Sequence, residues 1–494
     1  MKKQEHLYFL IQSLSPAEKR YFKIFSGIHG KEEKNYLLLF DTLSKAKEYN
    51  EEAIKKKFSK KGFTNNFHVI KKELFDLILK SLANYHAANN ARTHILQLMQ
   101  QSHLLSQKGL DIVAQPLLLK AIDLAKKYFH YGLLLELYKL YNANLYTTNI
   151  DDKELAYIQH LLKEKSALLP ILQEENELQE MLSLFKYQIQ QQKKITSKSN
   201  TPLIIDIEKI LNNDEAKLQS FHSENIFLVA AFLFYYRKGA LDKAIMYGER
   251  AIKPFEKNTY LIQEYASKYL QAVYNTALCY LAIKQYKKSI ETIDKLMLIQ
   301  SHELDIVINI FTHKYIVLTA CYLSMENFEA VIALEDEIEA GMKQYNFKIE
   351  PYRLHALRFN LASAYFGLNK FGKTISYLNK ILNTPKELLN EDIYVISELM
   401  FVLSHYELKN YELIRSLIKS ASKHFENLKI DWDIEQTVFN AILTIDDNTT
   451  VTEKIKTLKK LKSEVGKLIK GKPAGFRSTN YAYLMDWISE KINA

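Results

Sequence analysis

An aromatic pair spaced six residues apart recurs along this chain at a nearly fixed period, and that recurrence limits the fold more than any other feature. The pairs are Tyr280 with Tyr286, Tyr322 with Phe328, and Tyr365 with Phe371. Tyr235 with Leu241, and His405 with Tyr411, keep the same spacing. The anchors at 235, 280, 322, 365 and 405 stand 45, 42, 43 and 40 residues apart. A period of this length marks supersecondary units that bury their apolar faces only against their neighbours. The first member of each pair lies on one helix and the second opens the next. Each unit is therefore a helical hairpin with a tight turn, as at Arg237 to Ala240.

Composition agrees. The 494 residues include only 13 glycines and 8 prolines, far below the average usage of about 7% and 5%. So few turn formers exclude sandwiches, propellers and glycine-rich phosphate loops. With 47% apolar and 25% charged residues, the chain can bury a long core. An all-α fold is what remains.

The repeats resemble those of the tetratricopeptide family. Ala277, Thr319 and Ala362 match its small residue on the first helix, and Tyr280, Tyr322 and Tyr365 match the aromatic three residues later. Tyr286, Phe328 and Phe371 match the aromatic that opens its second helix, and Ala244 and Ala251 match its second-helix alanines. The match covers residues 220–430, and more loosely 100–130 through Leu104 to Leu110. The resemblance implies an α-solenoid of stacked antiparallel hairpins, irregular because the family period is about 34 residues. It also implies a non-catalytic scaffold or adaptor that binds a protein or peptide partner on the solenoid surface. Polar residues of the first helices, such as Asn275 and Arg358, are the candidates for that contact. Tyr322 is expected close to Phe328 and against Leu361 or Tyr365 of the next hairpin.

Four regions follow from the pattern: a basic helical N-terminal region (1–90), divergent hairpins (91–195), the repeat array (203–430) and C-terminal capping helices (431–494). Ser15-Pro16-Ala17-Glu18 is a capping box with proline at the first helical position. The helix it opens buries Tyr21, Phe22, Phe25 and Ile28. Thr64 caps a later helix that carries Phe67, Ile70, Leu74 and Ile78 on one face. Polar residues 190–202 read as a loop or hinge, ending in Pro202. The helix after residue 450 turns Ile455, Leu458, Leu461, Val465 and Leu468 inward and its lysines outward, as a terminal repeat requires.

Signals for chemistry are few. The chain lacks nucleotide-loop, nucleophile-elbow and zincin motifs. No two histidines stand at metal-ligand spacing, so neither a cofactor nor a catalytic or metal site is expected. Cys279 and Cys321, each one residue before an anchor tyrosine, read as packing residues. The cysteine count and the lack of a leader-like or membrane-length apolar run point to a cytoplasmic chain without a membrane partner. The longest such run, Phe227 to Tyr236, is far short of the ~20 residues a span needs.

Net charge is +10 and concentrates at the ends. Residues 1–90 hold 17 Lys/Arg against 10 Asp/Glu, and residues 451–494 hold 10 against 4. A short helix, a glycine turn at Gly62 and a capped second helix give a helix-turn-helix outline. Lys55, Lys56, Lys57, Lys60, Lys61, Lys71 and Lys72 would hold phosphates there, and Asn65 and Asn66 would face bases. The alternative function is thus a nucleic-acid-binding regulator with partner-sensing repeats.

Overall fold

The computed structural model describes residues 6–28, 35–46, 48–58, 67–86, 90–144, 152–191, 207, 211, 218–345, 348–384, 391–428, 432–445, 449–471 and 481–493. Every regular element among them is helical. The chain divides into two compact units, residues 1–173 and 174–494. The division falls inside a helix rather than in the polar stretch 190–202. The physical reason is that Leu178 and Leu182, late in that helix, pack with Ile226 and Ala230 of the second unit.

Unit 1 begins with α1 (His6–Ser13), α2 (Pro16–Ile28), α3 (Asn35–Lys45), α4 (Glu51–Phe58) and α5 (Phe67–Tyr85). The capping box at α2 forms as its sequence dictates: Ser15 N donates to Glu18 Oε2 at 2.6 Å, and Glu18 N donates to Ser15 Oγ at 3.2 Å. Phe22, Leu39, Phe40, Leu43, Leu74 and Ile78 form the core of this bundle. Tyr21 and Phe25 are half-buried. Thr64 and the side chain of Ile28 lie outside the described residues. α6 (Ala91–Gln107), α7 (Asp111–Lys127), α8 (Tyr131–Asn144) and the first part of α9 (Asp152–Gln191) enclose a second core around Ile95, Leu118, Ala121, Leu137 and Tyr138.

Unit 2 stacks hairpins. First helices are α10 (Phe221–Arg237), α13 (Ala266–Ala282), α15 (Leu304–Ser324), α18 (Pro351–Gly367) and α20 (Glu391–Glu407). Their partners are α11 (Leu241–Lys257), α14 (Tyr286–Asp294), the consecutive α16 (Phe328–Ala333) and α17 (Glu335–Tyr345), α19 (Phe371–Leu382) and α21 (Tyr411–Leu428). The short α12 (Tyr260–Glu264) links the first two hairpins. From α13 onward each first helix packs on its own second helix, and α13, α15, α18 and α20 pack side by side. This is a tetratricopeptide-like α-solenoid. The array ends in α22 (Asp433–Leu443), α23 (Val451–Gly471) and α24 (Ala482–Asn493). On α23, Leu458, Leu461 and Val465 are buried while Lys456, Lys459, Lys460 and Lys467 face solvent.

The six-residue spacing has a geometric cause. Ala240, Gln285, Asn327, Lys370 and Asn410 donate their backbone N–H to the carbonyls of Tyr235, Tyr280, Tyr322, Tyr365 and His405, at 2.9–3.0 Å. The residue before each donor has positive φ: Gly239 (75°), Lys284 (61°), Glu326 (56°), Asn369 (57°) and Lys409 (60°). These are Schellman turns, in which the left-handed residue closes one helix and the next donor starts the following one. The anchor therefore sits five residues before that donor and six before the new helix. Unit 1 repeats the turn after Leu105 and Ala125, with positive φ at Gly109 and Phe129. The register proposed there from Leu104 to Leu110 is off by one residue: the turn closes on Leu105 and α7 begins at Asp111.

Small residues and hydroxyls set how closely the helices approach. Ser289 Oγ donates to Ala277 O at 2.7 Å, and Thr374 Oγ1 to Ala362 O at 3.4 Å, each linking the two helices of a hairpin. Between hairpins, Tyr280 OH donates to Glu249, and Tyr365 and Tyr377 OH both donate to Glu335 at 2.5 Å. Tyr280 and Tyr365 are buried, whereas Tyr322 is only half-buried, packed against the core that holds Leu361 and Tyr365. Cys279 and Cys321 are fully buried, and burial pushes both thiols up, Cys279 to about 12. They are packing residues.

α15 is long and apolar enough to cross a membrane. A search for uninterrupted apolar runs missed it because Asp305, Asn309, His313 and Lys314 punctuate the sequence. In the fold it is a core helix, packed on α13, α14, α16 and α18.

Candidate functional site on the first-helix face

The polar side chains most unusual for a solenoid core gather where α10, α13, α15 and α18 meet. Arg353 lies near the start of α18, and its side chain is only 15% exposed. It reaches back to α15, where Nη1 donates to Asn309 Oδ1 and lies 3.4 Å from Thr312 Oγ1. Its Nε donates to Tyr352 OH at 2.8 Å and stands 3.2 Å from Glu350 Oε2. The guanidinium is thereby fixed between two helices before any partner arrives.

Beside it, His313 of α15 stacks on Tyr274 of α13, with ring centroids 3.7 Å apart and planes 10° from parallel. His313 is 7% exposed, and its Nδ1 has no hydrogen-bond partner among the described residues. Burial, and then the Arg353 charge, pull the imidazole down to about 3, so it is neutral at physiological pH. Burial pushes the Tyr274 phenol up to about 12, and the neighbouring Tyr352, Arg353 and Tyr236 also act on it. Tyr236, at the end of α10, and Tyr352 are each 45% exposed and open the cluster to solvent.

A second cluster sits earlier on α13. Lys268 Nζ is 3.3 Å from His222 Nδ1, and Tyr265 OH is 3.3 Å from His222 Nε2. Burial lowers the Lys268 ammonium while Glu175 pulls it back up; burial raises Glu175, which accepts from Ser220 Oγ at 2.6 Å. Lys268 and Arg353 both stand twelve residues before an anchor tyrosine, Tyr280 and Tyr365. Both reach toward the preceding first helix, so the repeat places a cation at the same seam twice.

Farther along, α24 covers the first helices. Tyr483 packs its ring against Phe359 and Phe366 of α18, with centroids 6.4 and 5.7 Å away, and its OH is 3.4 Å from Ile396 O of α20. Trp487 Nε1 and Lys491 Nζ hold Glu407 at 2.7 and 2.6 Å.

The residues proposed from sequence fall elsewhere. Arg358 is half-buried and donates to Lys380 O of α19, within its own hairpin, at 3.1 Å. Asn275 is half-buried. Its equivalent, Asn360, faces the preceding first helix and donates to Thr319 Oγ1 at 2.8 Å. Counting twelve residues back from each anchor, rather than five or seven, would have found Lys268 and Arg353.

In unit 1, Lys55 and Lys71 pair with Glu51 at 2.9 and 2.8 Å, and both ammonium groups lie over the Phe67 ring. Glu51 is partly buried, and its hydrogen bonds from Lys71, Tyr49 and Lys55 hold it down to about 2 despite that burial. Lys55 is nonetheless exposed, and Lys71 is half-buried. Lys56, Lys57 and Lys72 are exposed. Lys60, Lys61, Asn65 and Asn66 lie outside the described residues. No group of His, Cys, Asp and Glu able to hold a metal exists among the described residues.

No protein-family model and no curated protein matches the chain. Solved structures to which it is similar include three Rap proteins. The apo form of RapI has a TM-score of 0.43 and 13% identity over 76% of this chain and 97% of its own. A Rap protein complexed with competence and sporulation factor gives 0.37 and 13%, over 76% of this chain and 96% of its own. The Rap conjugation gene regulator of plasmid pLS20, in complex with the Phr* peptide, gives 0.34 and 12%, over 81% and 96%. At these scores the functional reading rests on this chain's own residues.

Proposed function

We propose that this chain is a non-catalytic helical-repeat scaffold that binds a protein or peptide partner on the first-helix face of its second unit. The observation that carries the reading is the strip of Tyr236, Tyr274, His313, Tyr352 and Arg353, drawn from four helices. Tyrosine and arginine are the residue types that dominate protein recognition. Burial pushes the Tyr236 and Tyr274 phenols up, so these two offer contacts and not activated nucleophiles.

A photo-crosslinking residue at Tyr236 or Tyr352 tests this. Adducts with a partner polypeptide are expected from those positions and not from exposed second-helix positions such as Lys287 or Lys373. Adducts from the second helices alone would move the site to the opposite face.

A second reading, nucleic-acid binding by unit 1, is supported by the exposed Lys55, Lys56, Lys57 and Lys72. It predicts affinity for mixed nucleic acid that falls steeply with salt. We place the protein in the cytoplasm, without a membrane partner; the packing of α15 inside the solenoid supports this.

A further inference from the structure

We propose that Arg353 is a carboxylate-binding subsite, taking an acidic side chain or the terminal carboxylate of a peptide on the first-helix face. The proposal rests on the reading above and names the chemistry of one contact within it.

A guanidinium has five N–H groups in a rigid planar arrangement, two of them on Nη2. Here Nε serves Tyr352 and Glu350, and Nη1 serves the neutral acceptors Asn309 and Thr312. Nη2 has no partner among the described residues. The only carboxylate against the guanidinium among them is Glu350, whose side chain is 61% exposed and which touches the Nε edge. A largely buried cation held mainly by neutral acceptors is under-compensated, and an anion at its open edge relieves that cost.

The surroundings are those of a ligand cradle. Asn309, Thr312 and Tyr352 hold the fork in place, so binding immobilises little further side chain. The stacked Tyr274 and His313 form an apolar wall, and Tyr236 and Tyr352 rim it. His313 presents an Nδ1 without a partner among the described residues, in a neutral ring, so it adds no second cation. A single fixed positive charge suits a monoanion.

The test uses the full chain with 3-phenylpropionate as probe and 3-phenylpropionamide as its uncharged control. Arginine Nε–Hε signals are followed by NMR, with the Arg353 signal assigned by its absence in Arg353→Gln. A saturable shift with the acid and none with the amide is expected. Arg353→Lys should keep the fold and the charge but bind about tenfold more weakly, having lost the fork. Glu350→Gln should tighten binding by removing the competing anion. No shift with the acid, or equal shifts with acid and amide, overturns the proposal.

A second arm presents acetylated octapeptide mixtures, as free acids and as amides. Preference for free acids assigns the chain terminus, and preference for Asp or Glu in both sets assigns a side chain. If the probe binds but no peptide does, the carboxylate subsite stands and the peptide reading fails. If peptides bind without acidic preference and the probe does not, the reverse holds.

Discussion

Phe328, which opens the second helix of one hairpin, lies flat against the backbone of Gly367 in the next. A Cβ built on Gly367 would stand 2.4 Å from Phe328 Cζ, inside any real contact distance. Phe328 is thus also the piece that seats its hairpin on the next one.

Gly367→Ala should therefore destabilise unit 2 by about 1–3 kcal/mol, the usual cost of forcing extra atoms into a packed contact. Gly372→Ala is the control: it sits in α19 with nothing within 4 Å of the new Cβ, and should stabilise by about 0.5–1 kcal/mol. Urea denaturation of both variants checks the pair. Equal effects would mean that Phe328 swings away freely.

The clasp on Glu335 gives a second prediction. Tyr365 and Tyr377 both donate to this carboxylate from the following hairpin, their rings 6.0 Å apart and nearly parallel. Tyr365→Phe should cost about 1–2 kcal/mol. With Tyr377→Phe added, Glu335 loses both donors, so the two losses should not add. A double-mutant cycle reads the coupling, and strict additivity would show that the hydroxyls act separately.

Much of this fold was legible because a Schellman turn has a fixed length. Once the anchors at 280, 322 and 365 were aligned, the turn, the left-handed residue and the next helix start all followed. What the sequence hid was direction around each helix. Arg358 and Arg353 differ by five residues, which turns them toward different neighbours: one bonds its own hairpin and the other the preceding first helix. The return of α24 onto α18 and α20 was equally invisible. Tyr483 and Phe359 are far apart in sequence, and the period of the repeat carries no information about a helix that folds back across it.

Two buried histidines set a pH dependence. His313 is held down to about 3 by burial and Arg353, and His355 to about 4 by burial and Arg358. In the unfolded chain both titrate near 6.5. Below that value the unfolded state binds protons that the folded state refuses, so stability is full above about pH 6.5 and falls as pH drops toward 4. Glu175 and Glu398, raised by burial, act in the opposite sense. The informative quantity is therefore the difference between wild type and a variant. His313→Gln with His355→Gln should flatten the loss between pH 7 and 5 in chemical denaturation. An unchanged slope would place the titrating groups elsewhere.

The left-handed turn residues give the last prediction. A residue with a side chain at positive φ is strained by its Cβ against the following carbonyl, at about 1–2 kcal/mol. Gly239 avoids that strain, whereas Lys284 bears it at φ 61° on an exposed turn. Lys284→Gly relieves it but frees the unfolded chain, so the net gain should be about 0.5–1 kcal/mol. Gly239→Ala should lose about 1 kcal/mol or more at the equivalent place, although nothing stands within 4 Å of its new Cβ. Opposite signs at one position of two successive hairpins can come only from backbone conformation, because neither substitution alters a packing contact. Thermal melts of the two variants, with hydrogen exchange to locate the change, decide it. The effect should stay within the altered hairpin and its immediate neighbours, since each unit of a solenoid is stabilised chiefly by the units it touches. A change of protection spread evenly along residues 174–494 would show that the array folds as one cooperative body.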